Sequence, residues 1–419
     1  MGCSYDGKTM KAVVFTLGCK VNSCESASLM RGLEELGYEV SEELSFADLY
    51  IINTCAVTKE AEKKSRQAVA RVRKFNKNAK IIITGCASQN NPQSFIDKEG
   101  VTLVTGTEYK DKILSNLDKT GIEIDNHTLD YKESLTPKTS KTRAYIKIQD
   151  GCNNFCSYCI IPYLRGRSRS RSPLSIKREI ELLKPLEAVL TAINLTAYNY
   201  GGQTLTDLIK SLTDLNVRIR LGSLEENIIT DEFLTALKNL KDFAPHFHLS
   251  LQSGSSDTLK AMNRRYTAEE FLKSIKLIRS YFPNAGVTTD IIVGFPTETE
   301  DNFIETLEFV KKAKFSDVHC FPYSAREGTK SYKLKDLSSD VKKQRLDVLI
   351  DLKNQLKIEF IESNLGNTLE FVVEEYDGVY TLGYTENYIK VYLKGELKEG
   401  KYKVKLIAPY CDGALVELI

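Results

Sequence analysis

The strongest constraint on this chain is an alternation that runs from about residue 11 to about residue 322. Short apolar runs of strand length are separated by segments whose apolar residues recur at helical spacing. In the first stretch the spacing predicts strands over 12–16, 49–52 and 81–83, and helices over 24–36 and 59–75. Strands alternating with helices imply a parallel sheet. Three cysteines keep the same place in this pattern: Cys19 lies three residues past Thr16, Cys55 three past Ile52 and Cys86 three past Ile83. Loops at the carboxyl ends of the strands build the binding crevice of an open α/β sheet. That edge would therefore bring together three thiols that are far apart in sequence.

The polar stretch 118–140 lacks periodicity, and 121–140 reads as a linker. Beyond it, strands are predicted over 142–150, 188–193, 218–223, 247–251, 287–293 and 318–321. Helical segments over 176–183, 205–214, 231–239, 268–281 and 299–312 separate them. Six β/α units are two short of a closed eightfold barrel, so a partial, open barrel is expected. From about residue 365 the pattern changes to short strands over 369–374, 379–385, 388–392, 401–407 and 414–418, split by Gly and Asn turns. This reads as a small all-β barrel. The expected layout is an N-terminal parallel α/β domain at 10–120, a linker, a partial (β/α)6 barrel at 141–362 and a β-barrel at 363–419.

The 419 residues, 42% hydrophobic and 27% charged, suit a soluble globular chain of two or three domains. A net charge of +2 leaves nucleic-acid affinity to local patches. No signal peptide, membrane-length apolar run or lipidation motif is read, so a cytoplasmic, monomeric protein without membrane attachment is expected. The chain has ten cysteines, and in one this long metal or redox chemistry outranks disulfides.

The densest cluster is Gly151-Cys152-Asn153-Asn154-Phe155-Cys156-Ser157-Tyr158-Cys159, three thiols within eight residues after a predicted strand. Thiolates select iron–sulfur clusters, zinc or copper(I). A structural zinc site needs four ligands, and none of the four histidines sits at ligand spacing from the triplet. A zinc site completed by a distant ligand, in a non-enzymatic RNA-binding protein, is the bland alternative. The C-x3-C-x2-C spacing, with Tyr158 before the last cysteine, resembles the radical S-adenosylmethionine (SAM) superfamily. That resemblance implies a [4Fe-4S] cluster on Cys152, Cys156 and Cys159. Its open iron would chelate SAM, and reductive cleavage would give a 5′-deoxyadenosyl radical.

The wider match is more specific. Thr16-Leu-Gly-Cys-Lys-Val-Asn22, Asn53-Thr-Cys55, Thr84-Gly-Cys86, QDGCNNFCSYCIIPYLRGRSRSR (149–171), HLSLQSGSSDTLKAMNR (248–264) and TDIIVGFPT (289–297) resemble, in order, the motifs of the radical SAM methylthiotransferases. The resemblance implies a second, auxiliary [4Fe-4S] cluster on Cys19, Cys55 and Cys86. One SAM would serve as methyl donor and a second as radical source. Residues 18–22 resemble the branch that places a methylthio group at C2 of N6-threonylcarbamoyladenosine at tRNA position 37. Isopentenyladenosine in tRNA and a ribosomal-protein side chain are the alternative targets. The C-terminal barrel resembles the TRAM-like RNA-binding module of the family, and an electron donor such as flavodoxin or ferredoxin is implied.

Candidate SAM contacts are Tyr158, Asn194, Ser223, Gln252, Ser253 and Asp290. Ala192 stands where the family pattern carries Gly, and Glu226 where it carries Pro. Cys3, Cys24, Cys320 and Cys411 are expected to be packing or surface residues. Two stretches offer a phosphate track. Residues 59–80 carry nine Lys/Arg against two Glu, and residues 141–171 carry seven against one Asp. From residue 361 onward six Lys/Arg face ten Asp/Glu. RNA contact there is accordingly expected through Tyr380, Tyr384, Asn387 and Tyr388, by stacking and hydrogen bonding.

Overall fold

The computed structural model describes residues 4–5, 8–133 and 142–419, so Cys3 and the last seven residues of the expected linker, 134–140, lie outside it. The chain forms two compact units. The first joins Met1–Thr139 to Lys147–Arg171 and Ser324–Thr329; the second comprises Ser140–Ile146, Ser172–Tyr323 and Lys330–Ile419.

The first unit is built on a six-stranded sheet, parallel throughout. Its order is Glu39–Ser41, Lys11–Thr16, Leu49–Thr54, Lys80–Gly85, Val101–Thr105 and Gly121–Glu123. All six residues of Leu49–Thr54 are buried, as befits a strand covered on both faces. Val13, Tyr50, Ile52, Ile81 and Ile83 face one core; Ala12, Val14, Leu49, Ile51 and Ile82 face the other. Each such Ile, fully desolvated, contributes roughly 1.5–3 kcal/mol. After Lys11–Thr16 the chain places one neighbour on one side and all later strands on the other. The switch point therefore lies between Lys11–Thr16 and Leu49–Thr54, where such sheets bind ligands. Gly121–Glu123, in the stretch expected to be a linker, is the last strand of this sheet. Its three residues are too few to show a period.

In the second unit, the strands Glu187–Ala192, Arg218–Leu221, His246–Gln252, Gly286–Val293 and Asp317–Pro322 follow the first half of Arg143–Asp150. These are the six expected barrel strands, divided between two four-stranded sheets. Five helices between the strands, including Ala268–Tyr281 and Glu300–Ala313, match the expected segments to within three residues at each end. Thr267 and Thr299 each close a capping box, satisfying first-turn amides. The 25-residue helix Ser339–Ser363 is absent from the sequence reading. Only Arg345, Leu349, Leu352, Leu356 and Ile361 of it are buried, a stripe too narrow to announce itself.

The C-terminal strands close into a five-stranded barrel in the order Thr368–Tyr376, Tyr380–Thr385, Lys390–Lys394, Gly413–Leu418 and Lys401–Tyr410. Phe371, Val391 and Val404 fill it. Tyr388 and Asn387, expected to reach RNA, turn inward instead. The Tyr388 ring stacks on His246 at 4.2 Å and lies under Arg220. Asn387 is 1% exposed and donates to the Asn284 carbonyl. A polar side chain in that position is held by buried hydrogen bonds whose loss would be costly. The Tyr380, Tyr392 and Tyr410 rings cluster elsewhere on the barrel.

Candidate active site

Sheet register sets the first constellation. Thr16 pairs with Asn53 and Asn53 with Thr84, so three strands end level. The chain leaves them through Cys19, Cys55 and Cys86. Cys19 is the N-cap of Lys20–Glu35, which begins four residues earlier than the apolar spacing suggested, and Cys86 opens Cys86–Asn90. Helix N-termini favour negative charge, such as a metal-bound thiolate would carry. Asn22 ties the loops together, donating to the Leu17 and Thr54 carbonyls at 2.7 and 3.1 Å. Asn53 donates to the Asn22 carbonyl and the Ser26 hydroxyl, both at 3.0 Å. Gly18 has φ +110°, and a Cβ there would sit 2.9 Å from Cys55 Cβ and 3.0 Å from its Sγ. Glycine thus keeps space open beside a sulfur.

Burial, reinforced by the neighbouring Cys86 and Cys19, pushes the Cys55 thiol up to about 11. Burial also raises Cys86, against the pull of Arg165 and Lys110. Thiols that crowd one another and resist ionisation suit a metal cluster, whose positive charge stabilises the thiolates.

The second constellation, Cys152, Cys156 and Cys159, belongs to the same compact unit. Backbone bonds shape its loop: the Cys152 amide donates to the Gly166 carbonyl, and the Cys159 amide to the Cys156 carbonyl. Gln149 Nε2 braces it against the Gly151 carbonyl at 2.7 Å. Gly151 has φ +71°, and a Cβ there would lie 2.0 Å from the Arg167 carbonyl oxygen. The short helix Ile161–Arg165 follows. Its Leu164, with Ile160, joins the apolar core of Ile52, Ile83 and Ala87, and its carbonyl accepts from Thr107 Oγ1 at 2.7 Å. The loop is thus keyed to the first sheet by packing independent of its sulfurs.

Arg165 links the two constellations. It is fully buried, and its Nε donates to Cys86 Sγ at 3.4 Å. Its terminal nitrogens donate to Asn22 Oδ1 at 2.7 Å, Glu25 at 2.9 Å and Asp150 at 3.1 Å. Lys110 and Lys147 also reach Glu25. Burial alone would raise the Glu25 carboxyl, but Arg165, Lys110 and Lys147 hold it well below its ordinary 4.5. A depressed carboxyl contributes its full stability above the unfolded pKa and loses it as pH falls toward the folded value. The melting temperature of the wild type is therefore expected to drop on titration downward from about pH 4.5. Glu25→Gln should flatten that part of the profile in thermal melts followed by circular dichroism.

Four of the six described cations in the stretch 141–171 turn inward, while Arg167 is exposed. Arg143, Arg165, Arg169 and Arg171 are each at most 9% exposed. Arg169 pairs with Glu108, Arg171 with Glu133 and Lys147 with Asp150. Buried guanidinium groups need such partners, and an Arg count cannot separate them from phosphate-facing ones. The other stretch does stay outside: on Lys59–Arg73 and just past it, Lys59, Lys63, Lys64, Arg71, Lys74 and Lys77 are exposed.

Of the expected SAM contacts, Asn194, Ser223 and Gln252 lie at or just past the carboxyl ends of successive strands of the second unit. Gln252 is held at φ +75°. Ser253 is fully buried, its hydroxyl 3.2 Å from Thr306 Oγ1. Asp290 lies within its strand, 3.1 Å from His248 Nε2. Tyr158 is half-buried in the cysteine loop. Cys24 is buried on Lys20–Glu35, and no described cysteine forms a disulfide. Sequence reasoning missed Arg165 as a site residue, although it stands six residues past Cys159 and directly before Gly166.

Comparisons with known proteins agree with this arrangement. The Radical SAM superfamily model matches residues 146–310, and a model described as Uncharacterized protein family UPF0004 matches residues 11–106. Threonylcarbamoyladenosine tRNA methylthiotransferase MtaB of Bacillus subtilis (strain 168) is 38% identical over 98% of this chain and 97% of its own. The protein of the same name from Thermotoga maritima is 38% identical over 91% of each. A tRNA-2-methylthio-N(6)-dimethylallyladenosine synthase of Thermoanaerobacter sp. (strain X514) is 36% identical over 88% of this chain and 83% of its own. Among solved structures, the radical SAM methyltransferase TsrM from Kitasatospora setae aligns with a TM-score of 0.54 at 13% identity, covering 75% of this chain and 72% of that one. Such a likeness shows the fold alone. With near-complete coverage by its relatives and both cysteine constellations in place, the chain belongs to the radical SAM methylthiotransferase family.

Proposed function

We propose that the protein inserts a methylthio group at C2 of N6-threonylcarbamoyladenosine at position 37 of tRNA. The observation that carries this reading is the presence of two cysteine triads in one compact unit, joined through Arg165. A single triad suffices for radical generation; sulfur insertion calls for a second thiolate site. Cys152, Cys156 and Cys159 would hold one [4Fe-4S] cluster, and Cys19, Cys55 and Cys86 an auxiliary one. When bound, these groups and SAM supply a one-electron route to a carbon-centred radical and a sulfur to transfer. An aromatic C–H is not acidic enough for a side-chain base near neutral pH, so a radical route is needed. The chain's own part is to hold six thiolates on loops fixed by Asn22, Gln149 and Gly151. Asn194, Ser223 and Gln252, at or just past the ends of successive strands, would orient SAM. Flavodoxin or ferredoxin is the class of electron donor that fits.

The choice of nucleoside rests on Gly18-Cys19-Lys20-Val21-Asn22 and on relatives named for threonylcarbamoyladenosine. A relative at 36% identity named for dimethylallyladenosine keeps the second reading alive. Anaerobic assays with reductant, SAM and two tRNAs, one carrying each unmethylthiolated nucleoside, separate them. Methylthiolated threonylcarbamoyladenosine is the expected product. Product only from the dimethylallyl substrate would replace the reading, and absence of both products would end it.

The exposed basic face around Lys59–Arg73 is the surface proposed to meet tRNA phosphates. Replacing Lys63, Lys64, Arg71 and Lys74 by alanine should weaken tRNA binding. It should also lower the slope of log K against log salt by up to about 4, one per lost phosphate contact. Filter binding across a salt series measures both.

A further inference from the structure

Among the described residues, one group of His, Cys, Asp and Glu side chains has metal-binding geometry, and it contains no cysteine: His248, Asp290 and His319 in the second unit. They come from three adjacent parallel strands, His246–Gln252, Gly286–Val293 and Asp317–Pro322. Register puts Thr288 opposite His248 and His319 opposite Asp290. Strand alternation then turns all four to one face, while Leu249, Leu251, Ile291 and Val318, fully buried, occupy the other. One ligand atom from each of His248, Asp290 and His319 lies within 4.8 Å of the other two. Of the three, Asp290 alone was expected to contact SAM; its side chain is engaged by His248 instead, and the inference does not depend on the methylthiolation reading.

The geometry around His248 is specific. Its Nδ1 lies 2.9 Å from Thr288 Oγ1, and the same hydroxyl lies 2.9 Å from His246 Nε2. That contact fixes the ring so that Nε2 points at Asp290 Oδ2, 3.1 Å away. With Nδ1 as the donor to Thr288, the Nε2 lone pair confronts a carboxylate oxygen. Either a proton or a cation must stand between them. Two ligand atoms about 2.0–2.1 Å from a tetrahedral metal are about 3.3 Å apart, close to the separation seen. An outer partner that orients a ligating imidazole is the usual second layer of a metal site. The His319 ring meets that of His248 edge-on, with centroids 5.4 Å apart.

We infer that His248, Asp290 and His319 form a binding site for a divalent first-row cation of the zinc type, with two imidazoles and one carboxylate as ligands. The set holds no sulfur, so it selects a borderline ion rather than a cluster. Three protein ligands leave a position open for a water or a carboxylate oxygen.

The test uses the full-length chain, purified anaerobically with its cysteine sites loaded with iron and sulfide so that the thiolates are occupied. Equilibrium dialysis against Zn²⁺, read by plasma mass spectrometry, should give one zinc per chain. His319→Ala, the most exposed ligand and the least needed for folding, should weaken binding at least tenfold. Asp290→Asn should do the same, and Thr288→Val should weaken it by about 10- to 100-fold through the second layer. X-ray absorption at the zinc edge should show only nitrogen and oxygen neighbours. No stoichiometric zinc, binding unchanged in a folded His319→Ala, or sulfur at about 2.3 Å in the zinc shell would each overturn the inference.

Discussion

Replacing Cys152, Cys156 and Cys159 together by alanine is expected to reduce 5′-deoxyadenosine formation to background while about four of about eight irons per chain remain. The complementary replacement of Cys19, Cys55 and Cys86 is expected to keep SAM cleavage and about four irons, but to yield no methylthiolated nucleoside. The asymmetry follows from where the sulfurs sit. The Cys152–Cys159 loop is held by the Cys152–Gly166 backbone bond, by Gln149 and by the Thr107–Leu164 bond. Ile160 and Leu164 are buried in the first unit's core. None of these contacts uses a sulfur, so the first variant should fold. Cys55 and Cys86 are buried among strands whose hydrogen bonds run through Asn22, Asn53 and Thr54, and alanine is tolerated in such positions at a modest packing cost. Iron and sulfide analysis with product quantification on the same samples gives the answer. A first variant that still cleaves SAM, or a second that still methylthiolates, would show that the two triads do not divide the work.

How much of this was legible in the sequence depends on the kind of signal. The strand-end cysteines were readable because a period-based strand boundary and a fixed offset both survive errors of one or two residues. The structure adds what an offset cannot hold: Thr16, Asn53 and Thr84 are level because the register makes them so. Gly121–Glu123 and Ser339–Ser363 escaped notice for opposite reasons, one too short for a period and the other with too narrow a buried stripe. Charge was the least legible property. Lys59–Arg73 shows its cations to solvent, but Arg143, Arg165, Arg169 and Arg171 pair with Glu25, Glu108, Glu133, Asp150 and Glu187, most of them far away in sequence. His248 and His319 were likewise invisible as partners. They lie 71 positions apart and meet only through the strand that carries Asp290.

Arg165 is where a single substitution should matter most outside the cysteines. Arg165→Gln removes the cation that faces Glu25 and Asp150 together and leaves the two buried carboxylates with Lys110, Lys147 and Arg169. Breaking a buried pair from one side costs about 3–5 kcal/mol, so the first unit should lose stability on that scale in denaturant titrations. A second consequence is chemical. The Nε–H donated to Cys86 Sγ draws electron density from a sulfur proposed to ligate the auxiliary cluster. Hydrogen bonds to cluster sulfurs stabilise the reduced, more negative state and raise the reduction potential. The glutamine variant should therefore show a more negative auxiliary potential in EPR-monitored redox titration, with the potential of the Cys152–Cys159 cluster nearly unmoved. Arg165→Lys keeps the charge but not the planar fork that serves Cys86, Asn22 and Glu25 at once. It should recover much of the stability and little of the potential. Equal potentials in the wild type and both variants would reduce Arg165 to a structural strut, because loss of packing alone lowers stability without moving the potential of one cluster relative to the other.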